Sequence, residues 1–295
     1  MREIEYIIED KFNSMRIVDF LKNIHGYSSR SITKLKQNYD AILLNGVHAR
    51  AIDIMNVGDT LRLKFYEQDR PYIETNLTCD IVFEDEDIIA YNKPPFMPCH
   101  TSRGHIDDTL ANVYATYCRK KGIEAVFRPL NRLDKDTSGI VICAKNQYTA
   151  SKITGGFDKT YTAIVCGNLH EYTGTVNEPI IRENDMELKR IVSPDGQTAI
   201  THYKVVARAN GYDLVDFKLE TGRTHQIRVH MSHIGHPLLG DTMYGEPSEQ
   251  IPRQALHCRE TTFIHPMTNQ VVVLSADMHI DIKNVLEKLN FKQCV

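Results

Sequence analysis

The stretch Asn131-Arg132-Leu133-Asp134-Lys135-Asp136-Thr137-Ser138-Gly139-Ile140-Val141-Ile142-Cys143-Ala144-Lys145 passes from a charged turn into a continuous apolar run. The apolar run predicts a strand buried on both faces, and Thr137-Ser138-Gly139 predicts a tight turn that leads into it. This turn would hold Arg132 and Asp134 at the edge of a rigid sheet. A carboxylate held there suits covalent chemistry, because the scaffold limits its rotamers and neighbouring cations keep it ionised. The alternative is an Asp that only caps backbone amides.

The composition is that of an ordinary globular protein, with a net charge of −3 over 295 residues. This length allows one large domain or two smaller ones. Because there is no overall excess of positive charge, any contact with nucleic acid must rest on local patches. The seven Cys residues contain no Cys-x-x-Cys pair, which argues against a disulfide framework or a structural zinc site. No segment resembles a signal peptide or a membrane span, so we expect a cytoplasmic protein without membrane contact.

The first 75 residues predict a small α/β unit. The residues from Ile17 to Ile24 have the apolar spacing of a helix, and Ser28 can begin a second helix. Asn45-Gly46 predicts a hairpin turn, and the alternation after Asp59 predicts a half-buried strand. Residues 11–50 contain seven Lys and Arg against two Asp. This excess fits a phosphate-binding face, and an ordinary solvated helix pair fits the same counts equally well.

The order of these elements resembles the small αL RNA-binding module of a ribosomal small-subunit protein and of tyrosyl-tRNA synthetases. The matching residues are Ser29-Arg30, Lys34-Leu35, Leu44-Asn45-Gly46-Val47 and Val57-Gly58-Asp59. The resemblance implies an RNA-binding domain over residues 1–75, a linker around Arg70-Pro71 and a second domain over residues 76–295. The RNA-binding residues that it implies are Arg16, Arg30, Lys34 and Lys36.

From Cys79 onward the pattern changes to that of a sheet. A hairpin is predicted around the acidic turn Glu84-Asp85-Glu86-Asp87, and Asp107 or Asp108 is expected to begin a helix. The run from Asp158 to Gly167 predicts a long strand that carries Lys159 and Tyr161 on one face. Such a row can be ordinary sheet packing, but an aromatic platform can also stack on any nucleobase.

The run Thr221-Gly222-Arg223-Thr224-His225-Gln226-Ile227-Arg228-Val229-His230-Met231 is rich in His, as is the segment that follows it. Four His residues, at 225, 230, 233 and 236, raise the question of a metal site. If residues 224–230 form a strand, His225 and His230 point to opposite faces, and no His-x-His spacing is present. We therefore expect no metal. Taken alone, Arg223 could be an exposed residue in a turn.

Together, three motifs closely resemble those of the RluA-type RNA pseudouridine synthases. They are Arg132-Leu133-Asp134, the row from Lys159 to Val165 with its Tyr161, and the run that begins at Gly222-Arg223. The resemblance implies an α+β fold, with a central mixed, largely antiparallel sheet flanked by helices. One position departs from the commonest family pattern, because Asn131 stands where His often precedes Arg-Leu-Asp.

The resemblance also implies roles for five residues. Asp134 is the catalytic residue and Arg223 forms an ion pair with it. Tyr161 stacks on the base, with Lys159 beside it in the substrate site. Arg132 takes the place that the flipped base leaves.

The implied function is the isomerisation of uridine to pseudouridine in structured RNA, with neither metal nor organic cofactor. By family analogy the RNA is large-subunit ribosomal RNA, with transfer RNA as a second possibility, and the protein is expected to be a monomer. A non-catalytic RNA-binding protein on the same fold is the main alternative. A weaker alternative is a hydrolase, which would release free uracil.

Overall fold

The computed structural model describes residues 2–66, 72–124, 126–153, 156–184 and 187–294. The predicted linker at Arg70-Pro71 lies outside these ranges, and residues 72–79, which follow it, contain neither helix nor strand. None of the helices in the described ranges is both long enough and apolar enough to cross a lipid bilayer.

Residues 2–65 form a four-stranded antiparallel sheet in the order β1-β6-β3-β4, together with two helical segments. The elements are β1 (Arg2–Ile7), a 3₁₀ turn (Asp10–Phe12), β2 (Met15–Arg16), α1 (Ile17–Asp19) with a π-helical continuation (Phe20–Ile24), α2 (Ser29–Leu35), β3 (Ile42–Leu44), β4 (Val47–His48), β5 (Ile54–Met55) and β6 (Thr60–Phe65). The Ser28 hydroxyl accepts from the backbone N–H of Ser31 and so begins α2, as predicted. Asn45 and Gly46 both have positive φ and form the predicted hairpin turn.

Ten of the remaining strands form one sheet whose main path runs β11-β14-β15-β10-β16-β9-β8-β7, with β17 beside β16 and β18 beside β14, while β12 and β13 pair only with each other. The elements are β7 (Asp80–Glu84), β8 (Ile88–Lys93), α3 (Leu110–Lys120), β9 (Ser138–Ala144), α4 (Gln147–Lys152), β10 (Asp158–Cys166), β11 (Thr173–Asn177), β12 (Ile180–Arg182), β13 (Arg190–Val192), β14 (Ile200–Ala209), β15 (Tyr212–Leu219), α5 (Gln226–His233), β16 (Leu256–Ile264), β17 (Val271–Ser275), α6 (Ile280–Leu289) and β18 (Lys292–Gln293). Among the described strands, only β16 and β9 pair in parallel. The predicted α+β class with a mixed, largely antiparallel sheet is confirmed.

Two helix predictions need correction. Helix α3 is capped by Thr109 rather than by Asp107 or Asp108, because the Thr109 side chain and Asn112 form a reciprocal capping box. Residues 224–230, for which the sequence analysis considered a strand, instead lead into helix α5, which begins at Gln226. The buried Gln226 side chain donates to the Ile200 carbonyl oxygen at 2.9 Å, which anchors the helix start against β14. A tertiary contact therefore favours a helix here, although the β-branched residues of this segment favour a strand.

Gly139 allows the parallel pairing of β9 with β16. Its φ is +116°, and a Cβ atom there would lie 2.2 Å from the backbone oxygen of Cys258, closer than any side chain can approach. In the register of this pair, His257 lies opposite Ser138 and Cys258 opposite Gly139. Strand β9 is buried along its full length. The turn that precedes β9 is therefore attached to the centre of the sheet.

Helix α4 connects the two sheets. Its Tyr148 belongs to the hydrophobic core of the N-terminal unit, with ring centroids 5.6 Å from Tyr27 and 5.7 Å from Phe65. The Lys152 ammonium lies 5.0 Å from the centroid of the Tyr27 ring and donates to the carbonyl oxygen of His25. These contacts pack the N-terminal unit directly against the larger sheet.

Candidate active site

A cleft of about 460 Å³ opens between the turn before β9 and the segment that connects β15 to α5. Asp134 lies in its wall, with its side chain 28% exposed. The five residues predicted for the catalytic and substrate sites all line this cleft; they are Arg132, Asp134, Lys159, Tyr161 and Arg223. His225 and Arg228, to which the sequence interpretation gave no role, line it as well.

The turn that carries Asp134 is held by hydrogen bonds to its own strand. The buried Asn131 amide donates to the Ile140 carbonyl oxygen at 2.9 Å and accepts from the Ile142 N–H at 2.8 Å. The Thr137 N–H donates to the Asp134 carbonyl oxygen at 3.1 Å, which closes the turn. Asn131 therefore holds the turn against β9, and Asp134 has little freedom to move along the cleft wall.

Lys93, the last residue of β8, also holds this turn. Its buried ammonium donates to three carbonyl oxygens, those of Pro94 and Met97 at 2.8 Å and that of Lys135 at 3.0 Å. Burial lowers the pKa of Lys93 to about 8, so the ammonium keeps its charge for most molecules at neutral pH. Lys93 thus ties the loop after β8 to the residue that follows Asp134.

Arg253 and Gln254, which come just before β16, hold the end of the turn. Arg253 Nη1 donates to the Asp136 carbonyl oxygen at 2.9 Å, and Gln254 Nε2 donates to Thr137 Oγ1 at 3.2 Å. The guanidinium of Arg253 is buried, and its Nε and Nη2 bind both carboxylate oxygens of Asp281, at 2.7 and 2.8 Å. Hydrogen bonds from Asn131, from Lys93 and from the Arg253–Gln254 segment therefore all hold the turn.

Arg228 is the cation that contacts Asp134. Its Nη1 lies 3.2 Å from Asp134 Oδ2, while Nε and Nη2 bind Asp241 at 2.6 and 2.8 Å. Both the Arg228 side chain, 7% exposed, and the Asp241 side chain, 0% exposed, are almost removed from solvent. Burial alone would lower the pKa of Arg228, but the hydrogen bonds and charges of Asp241 and Asp134 raise it above its ordinary value. Asp134 therefore faces a permanent, rigidly oriented positive charge.

The predicted ion pair between Arg223 and Asp134 is wrong. Arg223 is exposed, and its Nε donates to the Thr198 carbonyl oxygen at 3.0 Å. The family resemblance had assigned the ion pair to the first Arg of the motif, whereas helix α5 presents its second Arg, Arg228, to Asp134. The buried side chains of Ile227, His230 and Met231 have the i, i+3, i+4 spacing of a helix, which was the available signal.

Tyr161 and Lys159 line the cleft from β10. Tyr161 is 7% exposed, and its burial raises the pKa of the phenol well above its ordinary value, so the phenol is uncharged at neutral pH. Burial also lowers the pKa of Lys159. Both side chains lie on one face of the strand, as the period-two spacing predicts. Arg132 is exposed beside them.

His225 lies next to the carboxylate. Its Nε2 is 3.7 Å from Asp134 Oδ2, and its Nδ1 is 2.9 Å from the hydroxyl oxygen of Tyr244. The other three His residues of this region are not gathered around it. His230 bonds to Thr201 Oγ1, and His236 bonds to the carbonyl oxygen of Cys166. Within the described ranges, no group of three or more His, Cys, Asp or Glu side chains is arranged to hold a metal ion.

The four residues predicted for RNA binding in the N-terminal unit lie outside the cleft. Arg30 and Lys34 are exposed on α2, and Lys36 is exposed immediately after it. Arg16 is also exposed, but its Nε is 2.6 Å from the Asp19 carboxylate. The charge of Arg16 is therefore partly offset by Asp19, in the helix that follows it.

Comparison with solved structures assigns this fold to the pseudouridylate synthases. The human protein described as RNA Pseudouridylate Synthase Domain Containing 1 aligns with a TM-score of 0.57 at 23% identity, covering 72% of this chain and 94% of that one. A second human protein, RNA Pseudouridylate Synthase Domain Containing 4, aligns with the same TM-score at 22% identity, covering 72% of this chain and 93% of its own. These likenesses define the class of fold.

Sequence comparison then defines the family. The family model described as RNA pseudouridylate synthase matches residues 87–233. The Bacillus subtilis protein named uncharacterized RNA pseudouridine synthase YjbO is 37% identical over 272 residues, which cover 90% of this chain and 96% of that protein. Ribosomal large subunit pseudouridine synthase D of Buchnera aphidicola is 34% identical over 300 residues, covering 93% of this chain and 94% of its own. The chain belongs to the RluA-type RNA pseudouridine synthase family, and its predicted activity as an isomerase acting on RNA is confirmed.

Proposed function

We propose that Asp134 carries out the central step of uridine isomerisation and that the substrate is large-subunit ribosomal RNA. The role of Asp134 is supported by its contact with Arg228, whose Nη1 lies 3.2 Å from Asp134 Oδ2. The Arg228 guanidinium is itself held by two hydrogen bonds that it donates to Asp241, and we call this arrangement the clamp. Such a carboxylate faces a fixed positive charge before substrate arrives, which is the preorganisation that catalysis requires.

The reaction breaks the bond between uracil N1 and ribose C1′ and forms a bond between uracil C5 and C1′. The proton on C5 leaves, and N1 gains a proton, so product and substrate have the same atoms and no co-substrate is consumed. Asp134 acts either by attack on C1′ or by removal of a ribose proton. Both routes need an ionised carboxylate beside the sugar, and the clamped position of Asp134 satisfies either one.

The uridine must leave its stack to reach Asp134, which costs a few kcal/mol in duplex RNA. Arg132, exposed at the cleft, fills the place that the base leaves. Tyr161 stacks on the base, an interaction worth about 1–3 kcal/mol, with Lys159 beside it as a hydrogen-bond donor. Arg223, exposed at the rim, contacts the RNA backbone rather than Asp134.

The ribosomal target is supported by relatives named ribosomal large subunit pseudouridine synthase D, one of which matches 93% of this chain. Residues 1–75 act as a separate RNA-binding domain, ahead of a catalytic domain over residues 76–295. Its exposed Arg30, Lys34 and Lys36 form a basic face that holds phosphates away from the cleft. The protein acts as a monomer, because one chain supplies every residue in this mechanism.

Tritium release tests this proposal. RNA labelled at C5 of uridine is taken from cells that lack this protein, separated into large-subunit ribosomal RNA and transfer RNA, and treated with wild type or with Asp134→Asn. We expect release from the ribosomal fraction with wild type and none above background with the variant, although both bind RNA. Undiminished release by Asp134→Asn would refute the role of the carboxylate, and release from transfer RNA alone would refute the target.

A further inference from the structure

The two oxygens of the Asp134 carboxylate have different surroundings. Oδ2 faces Arg228 Nη1 at 3.2 Å and His225 Nε2 at 3.7 Å. Within the part of the chain that the structure describes, no group donates a hydrogen bond to Oδ1. A carboxylate with one oxygen held by the protein presents the other oxygen to the substrate. The groups that hold Oδ2 therefore determine which carboxylate oxygen of Asp134 faces the substrate.

The position of the hydrogen on His225 follows from its contact with Tyr244. The Tyr244 oxygen accepts from the backbone N–H of Arg190 at 2.8 Å, and it lies 2.9 Å from His225 Nδ1. A phenol has a single O–H, and here that hydrogen is available to Nδ1. A neutral His that accepts at Nδ1 carries its hydrogen on Nε2. Burial lowers the pKa of His225, which favours this neutral form.

We propose that His225 is a positioning residue that donates from Nε2 to Asp134 Oδ2 in the substrate complex, in the tautomer that Tyr244 selects. This assignment rests on the proposed catalytic role of Asp134. The distance of 3.7 Å without substrate must shorten by about 0.5 Å, as catalytic hydrogen bonds commonly do when substrate binds. With Arg228 and His225 both directed at Oδ2, Oδ1 is the oxygen that meets the ribose.

Two substitutions at His225 separate this role from a structural one. His225 has a φ of 60°, a conformation that Asn also adopts readily, so His225→Asn suits the backbone and keeps a polar group near Tyr244. Its side chain is too short to donate to Asp134. His225→Gln is longer and restores an N–H donor near the original Nε2 position. Both variants are assayed by tritium release for kcat and KM, after thermal unfolding has established that they fold.

We expect His225→Asn to lower kcat about tenfold or more with KM unchanged, because a hydrogen bond to a charged group is lost. His225→Gln should recover kcat to within about threefold of wild type. Tyr244→Phe, which keeps the ring 4.9 Å from the Arg228 guanidinium and removes only the hydroxyl, should lower kcat by an intermediate factor.

Equal kcat for His225→Asn and wild type would overturn the assignment, as would equal impairment of the Asn and Gln variants or a change confined to KM. Asp134→Asn, assayed beside them, separates this failure from that of the proposed function. An active Asp134→Asn removes the role of the carboxylate itself. An inactive Asp134→Asn with a fully active His225→Asn rejects only the positioning role.

Discussion

The charged residues of the N-terminal unit and those of the cleft are arranged in opposite ways. The Arg16–Asp19 pair is exposed to solvent, where such pairs contribute little to stability and are weakened further by salt. The Arg228–Asp241 pair is almost fully buried, so each charge depends on the other. Charges in the cleft therefore fix a geometry, whereas the Arg16–Asp19 pair remains in contact with solvent.

The largest difference in the free energy of unfolding should appear when the Asp of each pair is replaced by Asn. Asp241→Asn removes the negative charge that is paired with the buried Arg228, and we expect a loss of about 3 kcal/mol or more in the free energy of unfolding. Asp19→Asn, the matched change at the surface, should cost about 0–1 kcal/mol. Urea unfolding of both variants measures the contrast, and equal losses would remove the distinction between the two regions.

A pH effect of similar size should come from the buried His257. Burial lowers the pKa of His257 to about 4. Because the pKa in the folded state lies below the unfolded value of about 6.5, the neutral form stabilises the fold above that pH. This stabilisation is lost as the pH falls from about 6.5 to about 4.

Over this range, wild type should lose up to about 3 kcal/mol relative to His257→Gln in urea unfolding. The comparison with the variant removes the contribution of carboxylates such as Asp281, which also lose stabilising contacts in acid. Parallel pH curves for the two proteins would show that His257 does not carry the effect.

A smaller effect, on catalysis rather than folding, should separate the two arginines of the cleft. Arg228→Lys keeps a charge but cannot bind Asp241 through two nitrogens and reach Asp134 as well. We expect kcat to fall about tenfold to a hundredfold. Arg223→Lys should have a weaker effect, confined to KM, because the Arg223 guanidinium is exposed and donates to the Thr198 carbonyl oxygen rather than to Asp134. Tritium release gives both constants, and a larger loss of kcat at Arg223 would contradict the clamp.

The smallest effect on stability is expected in the basic face of the N-terminal unit. Lys34→Ala with Lys36→Ala should weaken RNA binding and make log K less steep in log salt by about 1–2, since two phosphate contacts are removed. The free energy of unfolding should change by about 0.5 kcal/mol or less. Lys288→Ala with Lys292→Ala changes the net charge equally at another exposed site. If this control weakens binding as much, the basic face has no special role.

Local signals predicted much of the fold correctly. Ser28 begins α2 and Asn45-Gly46 makes its turn, because capping and positive φ depend on the residues themselves. Helix α5 was missed, because its start is set by the bonds of Gln226 to β14, some 25 residues earlier in the chain. The i, i+3, i+4 spacing of Ile227, His230 and Met231 favours a helix, but it does not show where that helix begins.

The site was predictable as a set of positions rather than as a set of contacts. The resemblance to the family motifs predicted that Arg132, Asp134 and Tyr161 share one site, and all three line the cleft. It could not decide which of two arginines, Arg223 or Arg228, meets the carboxylate, because that depends on whether the backbone between them is extended or helical. Nor could it reveal His225 Nε2 beside Asp134, since the contact depends on a single left-handed residue.

The support of the Asp134 turn by Arg253, Gln254 and strand β16 has a consequence for protein synthesis. His257 follows its partner Ser138 by 119 residues. At about 5–20 residues per second, the ribosome needs roughly 6–24 s to make that intervening chain. During this interval Asp134 has already been polymerised, but the strand that closes its support has not. A nascent copy therefore lacks the full support of the Asp134 turn until β16 has been made.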